Sequence, residues 1–217
     1  MITTSVQRSL APAEVWMLLA KRSTNIQHLA TEPIHVLFAS LLWLDGNRWW
    51  PYALVFCIFL APAERWLGSP RWLTVGLSAH IGATYISEGA LYLAIRHGSA
   101  SPTLVGARDI GVSDFVVGVA AVLSYLIVNP WCYGYLTAAI SIFAAALALS
   151  PTFTSLGHLC ALLIGLAFYP LSRIHPMPVR DPARFATNAL RAVSGRRGHE
   201  RMPLRDGPRR RCPHHDD

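Results

Sequence analysis

Charge is what this chain has least of: 14% of its 217 residues are Asp, Glu, Lys or Arg, against about a quarter in a typical soluble domain. Set beside 53% apolar residues, so small a charged fraction excludes an ordinary water-exposed surface and points to a lipid surround. Lysine is reduced to Lys21 alone among 19 basic side chains. An arginine-heavy balance of this kind is partly what a GC-rich coding sequence produces, so it is not in itself a nucleic-acid signal. Its distribution argues the same way, because from Arg173 onward there are 11 Arg against 5 acids while the first 172 residues are nearly neutral. Cysteine is confined to Cys57, Cys132, Cys160 and Cys212, with no CxxC pair and three of the four inside apolar runs. That excludes a disulfide framework and a dithiol redox motif, and the four are read as reduced.

Apolar runs are what the chain has in quantity. A spanning helix needs about 20 apolar residues, and five segments approach that length: Trp49–Ala63, Trp72–Ile95, Gly111–Val128, Tyr133–Leu149 and Gly157–Leu171. Ile34–Leu44, ended by Asp45–Gly46–Asn47–Arg48, is too short to cross and reads as embedded or re-entrant at the outer face. Ala13–Ala20, followed by Lys21–Arg22, looks like the stump of a helix. The implied fold is an all-α integral membrane protein with about five full transmembrane helices and a shortened first helix. A basic segment beyond the last span is what the positive-inside rule leaves in the cytoplasm, where it also meets anionic lipid head groups. The expected location is thus the cell membrane, multi-pass, with a cytoplasmic C-terminus. The loops do not decide the orientation, since Arg65 and Arg71 on one side are matched by Arg96 and Arg108 on the other.

With that orientation, Gly111–Val112–Ser113 opens one span and Gly157–His158 opens another, both at their outer ends. A serine hydroxyl is a poor nucleophile until a neighbouring base takes its proton, so Ser113 and His158 at matched depth are the minimum for acyl transfer. Gly157, Ala161 and Gly165 recur every four residues and give that helix a smooth face for close backbone approach. On the Trp72–Ile95 segment, His80, Thr84 and Glu88 share one face. Ionisable groups at such depth face protein or a water-filled cavity. Interhelical hydrogen bonding accounts for them; alternatively Glu88, about 10 Å below the outer end, reaches the serine–histidine level, as does Asp114.

The run Glu64–Arg65–Trp66–Leu67–Gly68–Ser69, then Gly111–Val112–Ser113, then Gly157–His158 with the small-residue helix, resembles the rhomboid family of intramembrane serine proteases. More closely, the stretches STNIQHLATEP, APAERWLG, SAHIGATYISEG and ARDIGVSDF are similar to rhomboid-like multipass proteins of actinobacteria, over about residues 23–173. The resemblance implies a six-helix core, a Ser113 nucleophile on the fourth helix and a His158 base on the sixth, with no acid completing a triad. It also exposes departures. Rhomboids carry a His-x-x-x-Asn that helps hold the oxyanion, and His35 does not supply it, because Glu64, which should end the same helix, lies 29 residues further on. Counting back from Glu64 puts Arg48 or Trp49 and Tyr52 near those positions. Asp114 stands where active rhomboids usually have Gly, and Val117 where Tyr is often found.

Three functions follow as alternatives: an intramembrane serine endopeptidase; a rhomboid pseudoprotease that binds transmembrane helices without cutting; and a small transporter or cofactor-binding protein using His80 and Glu88, which no internal repeat supports. Expected partners are membrane lipids and transmembrane segments of other membrane proteins, with no nucleic acid. No cofactor or metal is expected, since the Arg211–Cys212–Pro213–His214–His215 run lies at a frayed terminus. The implied organisation is a truncated first helix over 1–22, a rhomboid-like membrane domain over 23–173 and a basic, disordered cytoplasmic tail over 174–217. Val15–Ala20, the one uninterrupted apolar run before Ser23, covers about 9 Å of a ~30 Å hydrocarbon core. Met1 is accordingly expected to be a start placed too far downstream or the start of a shortened paralogue.

Overall fold

In a computed structural model of the chain the described residues are 9–43, 50–107, 109 and 111–172, with Thr3 and Gln7. All belong to the first of two units, Met1–Arg180. Arg48, Trp49 and the basic tail lie outside the described residues.

Helix α1 (Pro12–Arg22) has Pro12 in its first turn, where a missing N–H does no harm, and Lys21 and Arg22 in its last. At 11 residues it is about 16 Å long, shorter than a bilayer core. Asn25 starts α2 (Ile26–Thr31) by accepting the His28 backbone N–H at 2.8 Å, an N-cap of the usual chemistry. Pro33 then opens α3 (Pro33–Leu42), which takes up most of the short apolar run Ile34–Leu44. Thr24 donates its backbone N–H to Asp109 O at 2.9 Å and so ties this entry region to the loop that precedes Ser113.

The next helix runs from α4 (Trp50–Val55) through a π-helical stretch, Phe56–Leu60, into α5 (Ala61–Leu67). Ala61 N–H reaches back to Phe56 O, and Pro62 has no N–H to give, which is why the ladder widens here. A turn at Gly68 leads into α6 (Ser69–Arg96), 28 residues long. Then come α7 (Val112–Val122) with a 3-10 continuation over Leu123–Leu126, α8 (Trp131–Leu149), α9 (Phe153–Ala167) and α10 (Tyr169–Ser172). Thr152 caps α9 by accepting Ser155 N–H at 3.1 Å.

Helices α6, α7 and α9 pack against one another. Ala79, Ala83, Val117, Ala121, Ala161 and Leu162 form one buried cluster between them. A second joins Leu60, Ala63, Trp66 and Leu67 to Val75, Phe115, Val119 and Val122. The expected smooth face of α9 is real: Gly157, Ala161 and Gly165 are all buried, and a side chain at Gly165 would overlap the carbonyl of Gly118 on α7. Small residues give van der Waals contact between backbones, which is what holds helices together where lipid removes the hydrophobic driving force.

Helix α8 is different, with no buried residue along its 19. Among the described residues it is the one helix both long and apolar enough to cross a membrane by length and composition. The helix α6 is longer but less apolar, and α3, α9 and the stretch Val112–Leu126 are apolar but shorter. Polar capping residues explain one difference from the expected bounds. The α9 helix begins at Phe153 rather than Gly157, since Thr152 to Ser155 supply its first turn. His158 therefore sits in the second turn.

Candidate active site

Ser113 lies in the first turn of α7, where the backbone N–H groups have no intrahelical acceptor and point out of the helix end. His158 faces it from α9. The Ser113 Oγ to His158 Nε2 distance is 2.9 Å, within hydrogen-bond range. The His158 side chain is 26% exposed, so the pair is reachable from outside. Phe143 on α8 meets the imidazole edge-to-face, with 5.8 Å between ring centroids.

Other polar groups surround the pair. Asp114 Oδ1 is 3.9 Å from the same His158 nitrogen. Gly157 leaves open the space between the helices, for a Cβ there would stand 3.5 Å from both Asp114 Oδ1 and Ser87 Oγ. Asp109 is buried before α7 and accepts from Thr154 Oγ1 at 3.5 Å. Glu88 on α6 is 3% exposed and neither carboxyl oxygen has a protein hydrogen-bond partner. The expected common face of α6 is present, with His80, Thr84 and Glu88 all buried.

His80 has a part that its sequence position did not reveal. Its Nε2 lies 3.0 Å from Leu37 O and 3.4 Å from Ser40 Oγ, both on α3, while Nδ1 lies 3.4 Å from Thr84 Oγ1. The imidazole also presses against Gly111, leaving no room for a side chain at that residue. One buried ring thus links α3 to the start of the helix that carries Ser113. Only Gly fits at this contact, which gives the Gly of Gly-Val-Ser a steric reason.

His35 is elsewhere. It is exposed, 3.1 Å from Arg22 Nη1 and 3.4 Å from Glu32 Oε2, in agreement with the register argument that removes it from an oxyanion site. Val117 is buried in the cluster of Ala79, Ala83, Ala121, Ala161 and Leu162. Among the described residues no group of three or more His, Cys, Asp or Glu side chains is arranged to hold a metal ion.

The family model for rhomboid-like proteins matches residues 1–177. The chain belongs to that family. No curated protein and no solved structure matches it. Membership makes this rhomboid-like chain a membrane protein, and the match extends to the N-terminal side of the 23–173 stretch from which the likeness was first drawn. What sequence reasoning missed in this rhomboid-like protein is the contact between Thr24 and Asp109 and the clamp by His80. Both join segments far apart in the chain, and neither leaves a spacing signal.

Proposed function

We propose that this rhomboid-like protein is an intramembrane serine endopeptidase with a Ser113–His158 dyad. The observation that carries the reading is the 2.9 Å contact between Ser113 Oγ and His158 Nε2 on helices whose backbones touch. In the first step Ser113 Oγ attacks the scissile carbonyl and its proton passes to Nε2. The N–H groups of the first turn of α7 are the available donors for the oxyanion, aided by the positive end of the helix dipole. As the C–N bond breaks, Nε2 returns the proton to the leaving amine, and the acyl group remains on Oγ. Water then gives a proton to Nε2 and attacks the ester carbon, and as the acyl C–O bond breaks Nε2 returns that proton to Ser113 Oγ and the acid product leaves. Substrates are the transmembrane segments of other membrane proteins, cut near the outer leaflet.

The proposed topology has five crossings, built from the α4–α5 helix, α6, α7 with its 3-10 extension, α8 and α9. Its support is the apolar character of those stretches and the lipid-suited surface of α8, where Ile142 and Leu149 are exposed. The basic tail then lies in the cytoplasm. In the proposed organisation residues 1–22 form the partial first helix, 23–173 the membrane domain and 174–217 the tail.

A second reading, a pseudoprotease that binds transmembrane helices without cutting, is favoured by one specific feature. His35 is exposed and engaged with Arg22 and Glu32 and has no Asn four residues on, so it does not supply the His-x-x-x-Asn donors, and losing one such donor costs about 10²–10³ in rate. Cleavage of a model transmembrane substrate by the purified protein, lost in Ser113→Ala and in His158→Ala, supports the protease. Equal turnover by Ser113→Ala excludes a serine mechanism. Substrate capture without turnover supports the pseudoprotease.

A further inference from the structure

Consecutive residues on a helix point about 100° apart, so neighbours rarely reach the same atom. Ser113 and Asp114 do, because His158 comes in between them from α9: its Nε2 is 2.9 Å from Ser113 Oγ and 3.9 Å from Asp114 Oδ1. A triad acid sits at the other ring nitrogen, Nδ1, and orients the imidazole. Asp114 is on the serine side and cannot act that way. Its side chain is 5% exposed, and a charge so sheltered acts more strongly on its neighbours than it does in water.

We infer that Asp114 is a positioning residue of the Ser113–His158 pair, its carboxylate holding the imidazolium that forms when Ser113 gives its proton to Nε2. The inference rests on the serine mechanism above. No proton is added or lost in this: the proton that leaves Oγ resides on Nε2, and Asp114 supplies the opposite charge until Nε2 passes the proton to the leaving amine. Other ionisable groups face the same space. They are Glu88 from α6, Asp109 from the loop before α7 and Cys160 from α9 itself, while α8 contributes the uncharged ring of Phe143. Asp109 lies near both Glu88 and Asp114, and Cys160 lies near Asp114. Among the described residues, Asp114 is the carboxylate within ion-pair distance of His158.

The test uses the full chain in lipid nanodiscs, as wild type, Asp114→Asn and Asp114→Glu, with a fluorophosphonate probe. Asp114→Asn keeps the size and removes the charge, and its labelling of Ser113 should slow by about tenfold to a hundredfold, the range for lost preorganised charge. The probe concentration for half-saturation should stay unchanged, and Asp114→Glu should recover most of the rate. Equal labelling by Asp114→Asn, or a loss that Asp114→Glu fails to reverse, overturns the inference. A ¹⁵N spectrum of His158 in a Ser113→Ala background separates it from the serine reading. If no protein labels, the serine mechanism falls and the spectrum decides the role of Asp114. The imidazole should bind its second proton about tenfold more weakly in the Asp114→Asn variant, a factor set by one lost neighbouring charge. An unchanged titration overturns the inference whatever the labelling shows.

Discussion

The carbonyl of Gly118 on α7 occupies the space where a side chain at Gly165 on α9 would begin. Backbone thus meets backbone one to two turns below Ser113 and His158 on the same two helices. Gly165→Val forces the helices apart, and overpacking of this kind costs about 1–3 kcal/mol. Thermal unfolding in detergent should show a clearly lowered midpoint, and Ser113 labelling should fall with it. An unchanged midpoint contradicts the packing.

His80 links Leu37 O and Ser40 on α3 to Gly111 at the start of α7. His80→Ala removes the hydrogen bond that joins α6 to Leu37 O, a carbonyl that Ser40 Oγ still donates to, at about 0.5–1.5 kcal/mol. It should also allow Gly111→Ala, which by itself collides with the ring. In a double-mutant cycle the two changes together should therefore be less harmful than their sum, read from unfolding midpoints. Strict additivity contradicts the contact.

His35 gives the opposite expectation. It is exposed and its partners Arg22 and Glu32 are at the surface, where ion pairs contribute little. His35→Ala should weaken folding slightly and label at Ser113 as fast as wild type. A tenfold loss of labelling would return His35 to the chemistry.

Much of this was legible in the residues, for physical reasons that differ from place to place. The short apolar run Ile34–Leu44 announced α3, and the four-residue repeat of Gly157, Ala161 and Gly165 announced the close face of α9. Reading Gly111 and Gly157 as helix starts put Ser113 and His158 at one level, although α9 begins at Phe153 and His158 lies in its second turn. Helix bounds were less legible: a count of apolar residues cannot see a first turn made of Thr152 to Ser155, nor the extension of α6 back to Ser69. Asp109 and His80 act through long-range backbone contacts, which no local pattern encodes.

Topology can be read directly. A reporter active only outside the cytoplasm should be inactive when fused after Asp217 and active when inserted at Gly98–Ser101, in the turn that follows α6. The reverse result contradicts the proposed orientation and with it the outer-leaflet site.

The central claim is that Ser113 is a nucleophile activated by His158. The most direct measurement is covalent capture by a fluorophosphonate, located by peptide mass spectrometry and followed against pH. The account predicts modification at Ser113 in the wild type and none in His158→Ala. It also predicts a rate that falls on acidification, since an imidazole that already carries its second proton has no lone pair for the serine proton. Absence of labelling at Ser113 in folded wild-type protein at every pH, or labelling at an equal rate in His158→Ala, would contradict it.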